Sequence, residues 1–347
     1  MTFQNVVIEF EKTDSFCVYS LPGSTDHNLV YSDNKSAILD PSNEESYVVL
    51  SSFDKADSVN EYIIADHQVE NGKFGFRPHG RCPLESTEYD RYEWKLNKAL
   101  TAIDKNEFDK VVLSRLVVSE NGIQDIYEYY VNLKSQYPKA FVFLYHTPER
   151  GCWCGASPEV LIKGDENYLM TMALAGTQLN RGIPLDIVKW TEKEHLEHGL
   201  IEVFVEERLD AQEVNYKKSL VQTVEAGNVL HLCSKYYISS DVDIESLVDE
   251  LHPGPAICGF PQEPSMDFIR NHEGHDRMDY CGYIGLRNMV GHTEYYANLR
   301  CMRLYQDRNV LFVGGGITKQ SNPSDEWEET TIKSQTLLST ISNPLVK

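Results

Sequence analysis

A chain of 347 residues can bury a large core as one domain or two, and 41% hydrophobic with 24% charged content is ordinary for a soluble globular protein. The formal charge of −21 argues against nucleic acid as a partner, because neutralising phosphates needs clustered Lys and Arg. No apolar run is long enough to span a membrane, and the N-terminus MTFQNVVIEFEKTDSF lacks the basic and apolar regions of a secretory signal.

Residues 1–84 mix short apolar runs (VVIEF, FCVYSLPG, SYVVLSSF, EYIIADH) with turn residues and read as strands and loops. Ser86 then opens an amphipathic helix, with Tyr89, Tyr92, Leu96, Ala99, Leu100 and Ile103 at helical spacing. KVVLSRLVV (110–118) is a strand, 125–136 a helix with Pro138 beyond its end, and AFVFLYH (140–146) a strand. CWCGASPEVLI supplies one or two more; alternation along it accounts for Cys152 and Cys154 better than a metal site does. Residues 185–209 read as a long charged helix, 217–224 and 236–239 as strands, and LHPGPAICGFP (251–261) as loop. SMDFIRNHEGHDRM gives a helix and loop. YCGYIGLRN, EYYANLRCMRLYQ and NVLFVG then follow through short turns as a β-meander. The fold class is α+β, with a largely antiparallel sheet near the C-terminus. The eight scattered cysteines, without an export signal, read as reduced and mostly buried thiols in a cytoplasmic protein.

The chemistry concentrates near the C-terminus, in LFVGGGITKQSNPSDEWEETTIK. Gly314, Gly315 and Gly316 leave the end of a strand without a Cβ, and a loop then feeds a helix. Glu326, Glu329 and Lys333 share one face of that helix. Two carboxylates and an ammonium beside bare backbone could hold a hard metal ion with an anionic ligand. Glu194 and Glu197 repeat the spacing in TEKEHLEH, so two helices could meet around one divalent ion, with oxygen-only ligands suiting Mg²⁺. Either pair could equally be a solvated helix face. Lys110, at a strand start, would be a general base if its pKa were depressed, and otherwise reaches solvent. Glu159 alone is a loop carboxylate, His252 a possible structural corner, and Arg300 a strand residue that could pair with a surface carboxylate. The ALAGT segment (173–177) suits close approach by a ligand.

Taken in order, KVVLSR, GASPE, ALAGT, KEHLEH, LHPGPA, EGHDRMDYCGYIG, NLRCMR, GGGI and EWEETTIK resemble the chorismate-utilising enzymes, which include isochorismate, salicylate, anthranilate and aminodeoxychorismate synthases. The stretches cover residues 110–333. The resemblance implies one domain over 1–347, with 1–100 as its variable part and 101–340 as the catalytic part. Two large, mostly antiparallel sheets pack together with helices outside and a deep site between. It assigns Mg²⁺ to Glu197 and Glu329, with Glu194 and Glu326 acting directly or through water. Arg300 and Lys333 become clamps for the carboxylates of chorismate, helped by Tyr280 and the backbone of Gly314 and Gly316. Gly176, Thr177 and Ala256 line the ring pocket, and His252 lies close to the reacting ring.

Within the family, Ala175 stands where lysine-type aminodeoxychorismate synthases carry a nucleophile, and Lys110 matches a lysine that activates water. The resemblance therefore implies an isochorismate synthase serving menaquinone biosynthesis, with siderophore formation as the alternative. Lys110 would take a proton from water and Glu159 would protonate the departing C4 hydroxyl, with no glutamine amidotransferase partner. Those roles need a neutral Lys110 and a protonated Glu159, hence pKa values moved toward one another. A salicylate synthase uses the same residues. Gly254, where the family usually has Thr, motivates a third possibility, a chorismate-binding paralogue without activity.

Overall fold

Runs of β-branched and aromatic residues at period two dominate this chain, and burying their apolar faces requires sheets packed against each other or against helices. The computed structural model describes residues 7–33, 41, 46–56, 59–165, 167–226, 229–239, 241–289 and 291–342. Strands β1 (Val7–Glu9), β2 (Phe16–Ser20), β3 (Asn28–Tyr31), β4 (Tyr47–Ser51), β5 (Glu61–Ile64), β6 (His67–Glu70) and β7 (Lys73–Gly75) precede helix α1 (Tyr89–Asp104). Strand β8 (Lys110–Val118) and helix α2 (Ile126–Gln136) lead to β9 (Phe141–Thr147), β10 (Gly151–Ser157), β11 (Val160–Gly164) and β12 (Tyr168–Leu179). Helix α3 (Glu192–Ala211), strands β13 (Tyr216–Lys218), β14 (Gln222–Ala226) and β15 (Val229–Ser239), and helix α4 (Ile244–Leu251) come next. The chain ends with β16 (Gly259–Phe260), α5 (Gln262–His272), β17 (Tyr283–Met289), β18 (His292–Ala297), β19 (Cys301–Leu304), β20 (Asn309–Thr318) and α6 (Pro323–Ser342).

Among the described residues there are two nine-stranded sheets, as the family resemblance implied. One runs β16-β8-β20-β19-β10-β9-β2-β3-β6; the other runs β13-β15-β12-β11-β18-β17-β4-β5, with β14 also on β15. Strands β1 and β7 form a small parallel pair apart from both. One apolar core, with Trp153, Phe143, Ile284 and Tyr296 at its centre, lies where the sheets meet and extends under α1 and α5. A second packs α2 and the end of α6 on the first sheet, and a third packs α3 and α4 on the other.

Several boundaries differ from the sequence reading. Helix α1 starts at Tyr89 rather than Ser86, because the hydroxyls of Ser86 and Thr87 accept the backbone N–H groups of Val118 and Leu116. The charged helix begins at Glu192, where Thr191 and Glu194 form a capping box; residues 185–187 make only a 3₁₀ turn. The strand expected over 217–224 is two strands, β13 and β14, and the one expected at 236–239 extends back to Val229.

Two corrections affect the site. The C-terminal strands are not one meander: β17 and β18 pair in the second sheet, whereas β19 and β20 pair in the first. The three glycines do not close the strand: β20 continues through them to Thr318, with Gly314, Gly315 and Gly316 opposite Ser114, Leu113 and Val112 of β8.

The sheets are also tied by buried charge. Arg150, in the turn from β9 to β10, lies 3.0 Å from Glu61 of β5 and also pairs with Asp279. Asp279 in turn accepts the hydroxyls of Tyr145 (2.7 Å) and Ser52 (2.8 Å). Removing one member strands the others away from water. We expect Asp279→Ala to lower stability by about 3 kcal/mol, read as a shift of the urea midpoint at unchanged m-value; a shift within error would show that the network contributes nothing.

Candidate active site

Glu159 and Arg300 sit where the chain passes between the sheets. Strand β10 belongs to the first sheet and β11 to the second, and Glu159 lies in the link. Strand β18 belongs to the second and β19 to the first, and Arg300 lies in that link. The two crossovers bond to each other: Ala297 N–H donates to Glu159 O (3.1 Å), Ala156 N–H to Arg300 O (3.1 Å), and Ser157 Oγ to Ala297 O (2.5 Å). Arg300 has φ +48°, a left-handed conformation that non-glycine residues rarely take. It is therefore not an alternating strand residue, and its guanidinium reaches α6, where Nη1 donates to Thr336 Oγ1 at 3.1 Å.

Strand β20 supplies the wall beside them. A Cβ on Gly315 would stand 2.9 Å from Glu326 Oε2, so α6 packs directly on this bare backbone. On the opposite side of the strand, a Cβ on Gly314 would stand 2.9 Å from the Tyr280 hydroxyl, and one on Gly316 would stand 2.8 Å from Lys110 Cε. Three glycines thus admit a helix on one face and two long side chains on the other. Lys333 Nζ donates to Gly314 O (2.8 Å) and lies 2.6 Å from Glu329 Oε1. Tyr280 is buried and stacked on Phe312 at 5.5 Å between ring centres.

Lys110 Nζ lies 3.7 Å from Glu197 Oε1, which brings α3 to the start of β8. Burial pushes the Glu159 carboxyl up, and the positive charges of Lys110 and Lys333 only partly oppose it. The carboxyl is thereby held toward its protonated form between two ammonium groups. Gly176 lies in a bulge of β12 with φ +68°, its Cα side against Glu194, where a Cβ would come within 3.0 Å of Glu194 Cβ. Thr177 is on the same strand, and its side chain lies outside the described residues. Ala256 is exposed in the turn after His252.

The glutamates divide by task. Glu194 closes the capping box of α3, its Oε2 accepting Thr191 N–H at 2.9 Å. Glu326 accepts Ser321 Oγ at 2.7 Å, and its carboxyl is pushed up by burial and by the neighbouring Glu329. Among the described residues no group of three or more His, Cys, Asp or Glu side chains converges as a metal centre. The donor chemistry nevertheless fits a hard divalent ion: Glu326 and Glu329 are crowded carboxylates facing a glycine, a setting that a cation would relieve.

His252 is buried, and since a carbonyl can only accept, its Nε2–H donates to Cys281 O at 2.7 Å. Its Nδ1 is buried without a partner, and burial lowers its pKa to about 3. Burial thus favours the neutral form of His252, and its hydrogen bond props the backbone beside Tyr280.

Sequence reasoning missed the support behind Ser114. Glu273 and Arg277 form a buried pair; Glu273 Oε1 accepts Ser114 N–H (2.6 Å), and Arg277 Nη2 donates to Val112 O (2.7 Å). They satisfy the edge of β8 past the end of the two-residue strand β16. The i, i+4 spacing in EGHDR was the available signal. The cavity lined by Tyr19, Asp26, Glu70 and Glu294, at the seam of the two sheets, holds none of the groups above.

Comparison with known proteins identifies the family and the fold. Residues 48–342 match the family model described as chorismate binding enzyme. The isochorismate synthase EntC of Escherichia coli is 28% identical over 263 residues, covering 72% of this chain and 67% of that protein. The isochorismate synthase MenF of Bacillus subtilis is 30% identical over 273 residues, covering 73% of this chain and 56% of the relative. The solved structure of MenF, the menaquinone-specific isochorismate synthase from E. coli, superposes with TM-score 0.79 at 19% identity, covering 95% and 89% of the two chains, and so shares the fold.

The glycine wall gives a graded expectation. Gly315→Ala meets only the movable end of Glu326, whereas Gly314→Ala also meets Leu113 O, 2.9 Å from the added carbon, which is backbone. Gly315→Ala should keep the wild-type melting temperature to within a few degrees and Gly314→Ala should lose about 1–3 kcal/mol; equal melting temperatures would contradict the packing described.

Proposed function

This chain belongs to the chorismate-binding enzyme family, and from that premise we propose that it is an isochorismate synthase, an isomerase interconverting chorismate and isochorismate. The observation that carries the proposal is Glu159, a carboxyl raised by burial and set in the field of Lys110 and Lys333. Proton donation to a leaving hydroxyl needs such a group. Ala175 offers no nucleophile, so water is the attacking group.

In this reading Lys110 Nζ removes a proton from water as its oxygen bonds to C2. The ring double bonds shift, and the C4–O bond breaks as Glu159 delivers a proton to the departing oxygen. One water enters and one leaves, so the reaction is an isomerisation. Arg300 and Lys333 orient the two carboxylates of chorismate, with Tyr280 and the bare backbone of Gly314 and Gly316 forming the wall. Gly176, Thr177 and Ala256 border the ring. Mg²⁺ would be held by Glu197 and Glu329, with Glu326 and Glu194 binding directly or through water, and would supply charge neutralisation and electron withdrawal at the ring carboxylate. The named relatives include a menaquinone-specific enzyme, which supports menaquinone biosynthesis as the route the product enters.

Incubation with chorismate while Mg²⁺ is titrated tests reaction and metal together. Isochorismate should form only with Mg²⁺ present; salicylate with pyruvate would instead make this a salicylate synthase. Lys110→Ala should lose at least about 10²-fold in kcat while chorismate still binds, and a wild-type rate would remove Lys110 as the base. The acid role has a sign. Glu159 must be protonated, so kcat should fall as pH rises through its raised pKa, and Glu159→Gln should lower kcat and remove that dependence; an unchanged alkaline limb in the variant would assign it to another group.

A further inference from the structure

Arg115 is buried, at 4% exposure, on the strand that carries Lys110, opposite Val313 of β20. Among the described residues its guanidinium has no carboxylate partner within an ion-pair distance. It lies over the ring of Trp327 at 3.8 Å, and it donates from Nε to Thr330 Oγ1 (2.8 Å) and from Nη2 to Thr331 Oγ1 (2.8 Å). Both threonine hydroxyls donate onward to Trp327 O at 2.9 Å. The Trp327 ring is further enclosed by Tyr89 and Tyr92 of α1. A buried arginine bonded only to neutral groups is a costly way to fill space, since an apolar side chain of similar volume packs as well or better. What an arginine adds is a planar fork with fixed geometry.

The contacts alternate along α6 with the groups assigned to ligands. Trp327, Thr330 and Thr331 meet Arg115, while Glu326 and Glu329 face Gly315, and Lys333 binds Gly314 O. One residue of helical rotation is about 100°, enough to turn all three charged groups away from the glycines. We propose that Arg115 is a positioning residue that fixes the rotation of α6 about its own axis and so aims Glu326, Glu329 and Lys333 at β20. The proposal rests on the assignment of the α6 carboxylates to Mg²⁺ for its effect on metal binding, but not for the clamp itself.

Arg115→Met tests it by hydrogen–deuterium exchange, Mg²⁺ calorimetry and thermal melting on the same full-length protein. Amides of residues 326–334 should exchange about tenfold faster while α2 is unchanged, and Mg²⁺ should bind about tenfold more weakly at a melting temperature within a few degrees of wild type. Arg115→Lys should fail to restore either, lacking the fork. Unchanged exchange in α6, equal acceleration throughout the chain, or full rescue by lysine would each overturn the clamp. If the wild type itself takes up no Mg²⁺, the metal assignment fails and the exchange pattern alone decides the role of Arg115. Should Arg115→Met not fold, the double variant Thr330→Val with Thr331→Val removes both acceptors and keeps the guanidinium on the ring. Faster exchange confined to α6 supports the proposal there too, and unaltered exchange overturns it.

Discussion

The arrangement depends on two crossovers that hydrogen-bond to each other. A strand that leaves one sheet for another exposes backbone groups at the gap, and in a buried place those groups must find partners. Here the links after β10 and after β18 run in opposite senses between the sheets and satisfy one another through Ala156, Glu159, Ala297 and Arg300. The two links thereby pair backbone groups that each crossing takes out of its own sheet. Glu159 and Arg300 enter the gap because they occupy the residues that make the crossing. Side chains elsewhere on these strands mostly alternate into cores, whereas at the crossings the backbone of Glu159 and Arg300 is tied to both sheets.

A second constraint concerns the edge of the first sheet. Strand β8 pairs fully with β20 but has only the two-residue β16 on its other side. Its remaining edge would be a template for aggregation or a source of unpaired amides. The pair of Glu273 with Arg277 replaces the missing strand by bonding Ser114 N–H and Val112 O, and Arg277 also reaches Ile257 O. Their mutual ionic contact makes burial of both charges tolerable. The same strand that carries Lys110 is therefore fixed from both edges, by β20 and by an ion pair.

Much of this was legible from local pattern. Periodicity located α2, with Asp125 accepting Glu128 N–H at its start, and the strands β8 and β9. The spacing of Glu326, Glu329 and Lys333 correctly put them on one side of one helix, against the glycines. Pairing between sheets was not legible, because which sheet a strand joins is decided by contacts far apart in sequence. EYYANLRCMRLYQ reads as a single strand, and nothing in NLRC marks the passage between sheets that the structure makes there, with Arg300 at φ +48°. The pattern places the glycines at the end of a strand, whereas close approach of α6, Tyr280 and Lys110 requires their missing Cβ atoms within it. His252 could not be judged from its motif, for burial and the Cys281 carbonyl decide its protonation.

The charge of the whole chain sharpens what the cleft must do. At −21 the protein repels a dianion at a distance, so attraction must be local. Lys110 and Lys333 already contact glutamates, Glu197 and Glu329, and neither is a bare cation awaiting an anion. An anionic substrate entering here would compete with Glu329 for Lys333. A divalent cation held by Glu197 and Glu329 would change that balance, drawing the glutamates to itself, leaving Lys333 to a substrate carboxylate and Lys110 free to face water. On this argument the acidic helices and the basic clamps are a single electrostatic unit, in which the proposed metal serves the lysines as much as the ring. The raised Glu159 carboxyl completes it, since burial favours its neutral form even with Lys110 and Lys333 nearby.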